Sequence, residues 1–321
     1  MRRLLAGLAA GTILLTTAAC GSSGGSSGTS PSSGGTTTVK VGIIPIVDVA
    51  PLYLGQKEGF YSKRGLKLSM TLAQGGAAIV PGVTSGQFQF GFSNMTSLMI
   101  AQSNNVPVQT IANGVASTGV AGKDFGALVV KKGSSLTSAK QLEGKKVAVN
   151  TLKNINETAV RESVRKAGGD PGKVNFVELA FDQMPAALDK GQIDAAMAVE
   201  PALATMRGQG ATETASPMVD VAKNLTVAMY FTSTSYAQQN PDVVKKFQEA
   251  TAESLAYADA HPDEVRQIVT TYTKTPADVL AKVTLPKWPA DPNHSSIETL
   301  EKLSEQDGLF KTAPDLAKLL P

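Results

Sequence analysis

The amino-acid sequence predicts an α/β fold of two lobes, each with a mainly parallel sheet flanked by helices and with a cleft between them. Three observations carry that expectation. β-Rich runs alternate with helical stretches, which argues for parallel strands with helices on both sheet faces. The alternation occurs twice, and GQFQFGF at Gly86–Phe92 holds the same place in the first unit as GQIDAAM at Gly191–Met197 in the second. A mostly helical tail follows from Pro241.

Each element has a local reason. In the first unit VKVGII at Val39–Ile44 is β-rich and stopped by Pro45, and Pro51 opens a helical stretch that Gly65 closes. Leu66–Leu72 alternates as a strand until Gly75 and Gly76 break it, and Ala77–Ser85 reads as a helix ended by Gly86. Phe88–Ser93 is a strand, Thr96–Asn104 a helix and Val108–Ala112 a strand. The second unit repeats the grammar: strand Lys146–Asn150, helix Asn154–Ala167 before Gly168 and Gly169, strand Val174–Leu179, helix Met184–Lys190, strand Ile193–Val199. Helices are predicted in the tail at Pro241–Asp259, Pro262–Thr273, Pro276–Val283 and Ser295–Asp307, packed on the first lobe. The β-rich segments Gly126–Lys131 and Thr226–Thr232 fall where the chain would pass between lobes. Lobe I is therefore expected at residues 39–130 and 227–321, and lobe II at 131–226.

Composition excludes more than it identifies. Of 321 residues, 30 are Lys or Arg and 27 are Asp or Glu, a balance too even for a nucleic-acid binder. One Cys and two His leave no zinc cluster of the usual kind and no intramolecular disulfide, so no metal and no cofactor is expected.

The chain begins with a different kind of segment. Arg2 and Arg3 precede an apolar run, Leu4–Ala19, of 16 residues. That is shorter than the roughly 20 residues of a membrane-spanning helix and has the layout of a secretory signal, residues 1–19. The string LTTAAC resembles the bacterial lipobox, which would make Cys20 the acylated first residue of the mature protein; the alternative is an ordinary signal with an incidental Cys. Each acyl CH₂ placed in the membrane contributes roughly 0.8 kcal/mol. Removing Arg2 and Arg3 leaves 28 basic against 27 acidic residues, a net charge of +1. Between Gly21 and Thr38 lie six Gly, seven Ser, four Thr and one Pro, so residues 20–38 read as the anchor and a flexible linker.

Several phrases then point to one family. VKVGIIPIVDVAPLYLGQKEGFYSKRGLKL, LAQGGAAIVPGVTSGQFQFGFSN, LEGKKVAVNTL and IDAAMAVEPAL, in this order, resemble the substrate-binding proteins of ABC importers for sulfonates, taurine, nitrate and thiamine precursors. The resemblance implies a type 2 periplasmic-binding-protein fold in which two crossover segments allow hinge closure on a ligand. It departs at Gln89, where the family often has Asp, while Asp194 in the second unit is kept. Some eukaryotic relatives are pyrimidine synthases that use a His and a Cys-rich iron-binding stretch, for which Cys20 alone gives no support.

Ligand-contact candidates follow from strand C-termini and the helix N-termini facing them, which offer free N–H groups and partial positive charge. In the first lobe these are Asp48, Gln74, Gly75, Gly76, Ser93, Asn94 and Asn113; in the second they are Thr151, Asn154 and Glu200. Ser93, Asn94, Thr151 and Asn154 would look the same as plain helix caps, and Gly75 and Gly76 could serve only a tight turn. Glu200, a carboxylate ending an apolar run, needs a fixed partner, which could be a ligand amine or a lobe–lobe contact. Asp48 has the same two readings. Tyr53 and Tyr230 are the candidate aromatic walls, whereas Phe92, Phe125, Phe181 and Trp288 read as packing residues and His261 and His294 as solvated.

The function expected is that of an extracytoplasmic, lipid-anchored monomer that captures a small sulfonate, nitrate or related solute and delivers it to an ABC permease with its cytoplasmic ATPase. With Lys123 and Lys153 the only cations near the cleft, a polyanion is disfavoured. An aminopyrimidine of the thiamine-precursor kind would better explain Asp48 and Glu200. An enzyme of pyrimidine metabolism on the same fold is the competing class, and non-enzymatic binding is the expectation.

Overall fold

The computed structural model describes residues 35–321. The signal segment and Cys20 lie outside the described residues. Within them, no helix is long and apolar enough to cross a membrane.

Among the described residues ten strands form two five-stranded sheets. In chain order they are β1 (Thr37–Ile43), β2 (Leu66–Leu72), β3 (Phe90–Asn94), β4 (Val108–Ala116), β5 (Gly126–Val130), β6 (Lys146–Val149), β7 (Asn175–Glu178), β8 (Ala195–Val199), β9 (Thr212–Ala215) and β10 (Thr226–Ser233). The first sheet runs β2-β1-β3-β10-β4 and the second β7-β6-β8-β5-β9. In the first, β1 pairs parallel with β2 and β3 while β10 pairs antiparallel with β3 and β4. In the second, β6 pairs parallel with β7 and β8 while β5 pairs antiparallel with β8 and β9. Four strands of each sheet therefore share one direction, and the reversed strand holds the fourth place in both.

That shared order gives the repeated sequence phrase a structural meaning. Gln89 accepts from the Lys40 N–H through Oε1 (2.8 Å) and donates its own N–H to the Lys40 carbonyl (3.0 Å). Asp194 makes the equivalent pair with Lys146, at 2.8 and 2.9 Å. Each side chain ties the turn before β3 or β8 to the neighbouring strand, β1 or β6. Gln89 thus keeps the bond that an Asp would make at that place.

The reversed strands correct one boundary. Gly126–Val130 lies inside the second sheet, so the expected limit of residue 130 for lobe I falls too late, and the first passage between lobes is residues 117–125. The reason is pairing: an apolar run, GALVV, buried along its whole length, is satisfied by neighbours on both edges. Thr226–Ser233 is likewise a full strand of the first sheet, reached by a short passage at 222–225. At the other end, Thr37 and Thr38 pair with Leu66 and Lys67, so the strand takes two residues from the expected linker.

Helices cover the sheets, and the central strands are buried on both faces, as the apolar runs FGF and AAMAV require. The tail helix Pro241–Ala260 packs on the helix Ala50–Lys57, with Phe247 stacked on Phe90 at 3.9 Å. Besides short 3-10 turns, five elements were not legible in the sequence: β9 and the short helices Ala202–Gly208, Pro217–Val221, Thr234–Gln239 and Leu316–Leu319.

After the helix Ala277–Leu280, the segment 283–293 runs along both lobes as a strap. Thr284 N–H donates to Glu200, Lys287 exchanges two backbone bonds with Ala116, Trp288 Nε1 donates to the Asp48 carbonyl (3.0 Å), and Asn293 N–H donates to Thr226. Trp288 is 3% exposed, which agrees with its expected packing role.

Candidate functional site

The strand ends of the two lobes meet across a small pocket with a cavity volume of about 30 Å³. From lobe I come Ile44, Ile46, Asp48, Phe92, Asn94 and Ala228; from lobe II come Asn150, Asn154, Ile155, Asn156, Phe181, Val199 and Met218. Two Phe rings and several aliphatic side chains form the walls, and four amides and one carboxyl form the polar lining. Among the described residues no Lys, Arg or His lines it.

The amides are held in fixed orientations by backbone groups. Asn94 caps the helix Met95–Ser103, its Oδ1 accepting the Ser97 N–H and its Nδ2 donating to Ser97 Oγ. Asn154 caps the helix Ile155–Lys166, its Oδ1 accepting the N–H groups of Asn156 and Glu157. With Oδ1 so assigned, Asn154 Nδ2 donates to Asn150 Oδ1 (2.7 Å) and Thr151 Oγ1 (2.8 Å). Asn156 Nδ2 donates to the same Asn150 oxygen at 2.7 Å. Asn150 Nδ2 donates across the cleft to the Gln74 carbonyl (3.2 Å), and Gln74 Nε2 donates back to the Asn150 carbonyl (2.8 Å). This reciprocal pair joins the two lobes at the edge of the pocket.

The capping has a consequence for anions. Sequence reasoning expected the N–H groups at these helix starts to be available to a ligand, but Ser97, Asn156 and Glu157 already give theirs to the caps. A short polar side chain reaches those N–H groups at no separate cost of binding, so the cap takes them first.

Asp48 lies on the short turn Val47–Val49 after β1 and is 2% exposed. Burial pushes its carboxyl up to about 7, with the nearby Asp124 carboxyl adding to the rise. Its Oδ1 has no hydrogen-bond partner, and neither has Asn156 Oδ1 on the opposing lobe.

The other candidates are placed differently. Thr151 supports Asn154, and Gln74 bridges the lobes. Gly75 faces Thr151 across the cleft, where a Cβ would come within 2.8 Å of Thr151 Cγ2. Gly76 sits against Ser93, whose Oγ would be 2.0 Å from an added Cβ. Close approach explains both glycines without a ligand. Ser93 is fully buried and donates to the Asn94 carbonyl, and Asn113 donates to the carbonyls of Pro289 and Asp291 on the strap. Tyr53 stacks on Tyr272 at 4.0 Å, and Tyr230 packs within the first lobe against Phe92 and Phe247. None of these last four lines the pocket.

Glu200 also stands outside the pocket, and its geometry is that of a lobe contact. Oε2 accepts the Ala204 N–H (2.8 Å), and Oε1 accepts the Thr284 N–H (3.2 Å) with Arg207 at 3.5 Å. Its carbonyl accepts the Val47 N–H of the other lobe at 3.2 Å. Burial raises its carboxyl to about 7 against the pull of these donors.

Sequence reasoning missed Asn150, Asn156, Ile44, Ile46, Ile155, Val199 and Met218, and assigned Phe92 and Phe181 to packing. Asn150 had a signal, since it is the polar residue ending KVAVN at a strand C-terminus. The aliphatic residues had none, because a pocket wall and a core position carry the same residue types.

Two α/β lobes, each with one reversed strand, joined by two passages and enclosing a polar pocket, define the architecture of periplasmic solute-binding proteins. A ligand-binding component of an ABC-type import system from Staphylococcus aureus, solved with zinc bound, has this fold, with a TM-score of 0.77 at 18% identity over 88% of this chain and 96% of that one. The chain belongs to the NMT1/THI5-like family, whose model matches residues 46–265. It is 26% identical to the taurine-binding periplasmic protein of Escherichia coli over 226 residues, 70% of this chain and 68% of that protein. It is also 26% identical to the riboflavin-binding protein RibY of Chloroflexus aurantiacus over 233 residues, 71% of this chain and 63% of that protein. The aligned parts thus span about two thirds of these relatives' lengths. A 4-amino-5-hydroxymethyl-2-methylpyrimidine phosphate synthase of Aspergillus parasiticus matches at 23% over 66% of this chain and 64% of that protein, so the family holds synthases as well as binding proteins.

Proposed function

We propose that this protein is the extracytoplasmic solute receptor of an ABC importer, closing its lobes on one small organic molecule and passing it to a permease with a cytoplasmic ATPase. One observation carries the reading: a small pocket lined from both lobes, whose edge is closed by the reciprocal Gln74–Asn150 bonds. The relatives' names give taurine and riboflavin as ligands, an anion-bearing solute and an aromatic one. A sulfonate or nitrate would be the first reading from the former; an aminopyrimidine-like ring is the second, favoured by Phe92, Phe181 and Asp48 in the lining.

Binding without turnover is part of this proposal. The pocket brings together amides and one carboxyl but no nucleophile beside a base. A panel of small solutes should yield one that raises the melting temperature by several degrees and is recovered unchanged after prolonged incubation. Conversion of that solute to a product would replace the receptor by an enzyme.

The receptor would work as a monomer tethered through an acylated Cys20 and the Gly/Ser/Thr linker that follows. With Cys20→Ala the protein should leave the membrane fraction for the soluble one, measured by fractionation of cells; retention on the membrane would refute lipid anchoring.

A further inference from the structure

The helical tail packs on lobe I, yet it reaches lobe II at two separate places. The first is Thr284, whose N–H donates to Glu200 at 3.2 Å. The chain then returns to lobe I, where Lys287 pairs with Ala116 and Trp288 donates to the Asp48 carbonyl. Asn293 fastens it again, to Thr226 and to the carbonyl of Asn224 in the second passage. From there the helix His294–Gln306 packs against both Met95–Ser103 of lobe I and Ile155–Lys166 of lobe II, and just past its end Asp307 Oδ1 accepts from Arg165 Nη1 at 2.8 Å. Beyond it the tail is on lobe I once more, with the Asp315 N–H on Gln102 and the Thr110 hydroxyl on the Leu319 carbonyl. Residues 284–307 are therefore a third connection between the lobes, fixed beside both passages and holding lobe II at each end.

The Arg165–Asp307 grip is largely buried but incomplete, with side chains 19% and 3% exposed. The guanidinium gives Nε to Glu162 of its own helix and one nitrogen to Asp307, which leaves Arg165 Nη2 and Asp307 Oδ2 buried without partners. Parting the pair loses one charge-assisted bond and admits water to those two atoms, so solvation offsets part of the loss. The 13 residues of the helix carry Asp307 roughly 20 Å from the Asn293 anchor, so a hinge rotation acts on the pair with a long arm. On the receptor reading above, we propose that residues 284–307 form a clasp with the Arg165–Asp307 pair as its catch: the lobes open only when the pair parts, and the pair sets how much of the unliganded receptor stands open. The two passages supply the axis of motion, and the tail supplies its bias.

Spin labels test this without a ligand. β2 and β7 are the sheet edges farthest from the passages, so labels on Ser69→Cys and Asn175→Cys, both exposed and on opposite lobes, separate as the lobes open. The background is the Cys20→Ala chain, which has no other cysteine. Pulsed dipolar spectroscopy should give a mainly short distance with a long minority. Asp307→Asn should raise the long-distance fraction at least twofold, and Arg165→Gln should raise it further because it leaves a buried carboxylate alone. Glu162→Gln, which removes the other bond of Arg165 but not the one between lobes, should leave the fraction unchanged. Circular dichroism and melting temperature confirm that each variant folds, and Asp307→Asn, which keeps shape, carries the test if Arg165→Gln does not. Two distances in the same proportion in Asp307→Asn and wild type would overturn the clasp and leave the receptor reading intact. An equal rise in Glu162→Gln would also overturn the clasp, since loosening of the helix Ile155–Lys166 would then account for both. One short distance in every variant would overturn the clasp together with hinge closure on a ligand.

Discussion

Asn150→Ala should destabilise the protein by about 2–3 kcal/mol and lower its melting temperature by roughly 5–10 °C. Asn150 is the hub of the lobe II amides, accepting from Asn154 and Asn156 through one oxygen and donating across the cleft to Gln74. Its removal leaves Asn156 Nδ2 without its protein partner, while Asn154 Nδ2 keeps Thr151. A buried donor left unmade is the costly part, since the protein loses the bond and does not regain water. The same change removes one of the two bonds of the reciprocal pair between lobes, so ligand affinity should fall along with stability. Differential scanning calorimetry of wild type and variant, with and without ligand, separates the two effects. A melting temperature within about 1 °C of wild type would show that water replaces Asn150 and that the network does not hold the pocket.

The second large effect is on stability as a function of pH. Asp48 rises from its ordinary value of 3.8 to about 7 in the folded protein, chiefly through burial. Asp124 adds to the rise, and the Tyr230 and Tyr272 hydroxyls lie in the same field. Between those two values the folded chain holds a proton that the unfolded chain has released. Stability therefore falls as pH rises from about 4 to about 7 and stays lower above it, by a few kcal/mol. Glu200, raised from 4.5 to about 7, has the same sign over nearly the same window. Urea unfolding should give a lower free energy at pH 8 than at pH 5 in wild type. Asp48→Asn should shrink that difference and be the more stable form at pH 8, leaving the part due to Glu200. An unchanged pH dependence in Asp48→Asn would show that the Asp48 carboxyl is ionised and solvated in the folded protein.

Much of the fold could be read from the chain because its signals are local. Gly65 does close its turn in the left-handed region at φ 70°, Leu66–Leu72 is a strand over the expected residues, and Asn94 and Asn154 do cap the helices they precede. The boundary error at β5 came from a property that is not local: an apolar run shows that a strand is buried but not which sheet buries it. The site divided in the same way. Strand-end reasoning selected Asp48, Asn94 and Asn154, which line the pocket; it also selected Ser93, whose hydroxyl donates to the neighbouring Asn94 carbonyl, and Asn113 and Glu200, each held by a group distant in sequence. Asn113, for instance, is held by carbonyls 176 and 178 residues away. Whether a polar strand end faces a ligand or a distant loop depends on where that loop returns, and the strand carries no trace of it.

The order of the strands also bears on how the chain reaches this structure. The second sheet is assembled from a contiguous stretch, β5 to β9, residues 126–215, so every pairing in it closes within one uninterrupted piece. The first sheet is discontinuous: β10 inserts between β3 and β4 only after that whole piece has been traversed, and the strap that backs it comes later still. Loop closure favours the contiguous unit. Lobe II is therefore the part able to become native while lobe I is still waiting for its fourth strand, and a newly released chain would mature from its middle outward to its two ends.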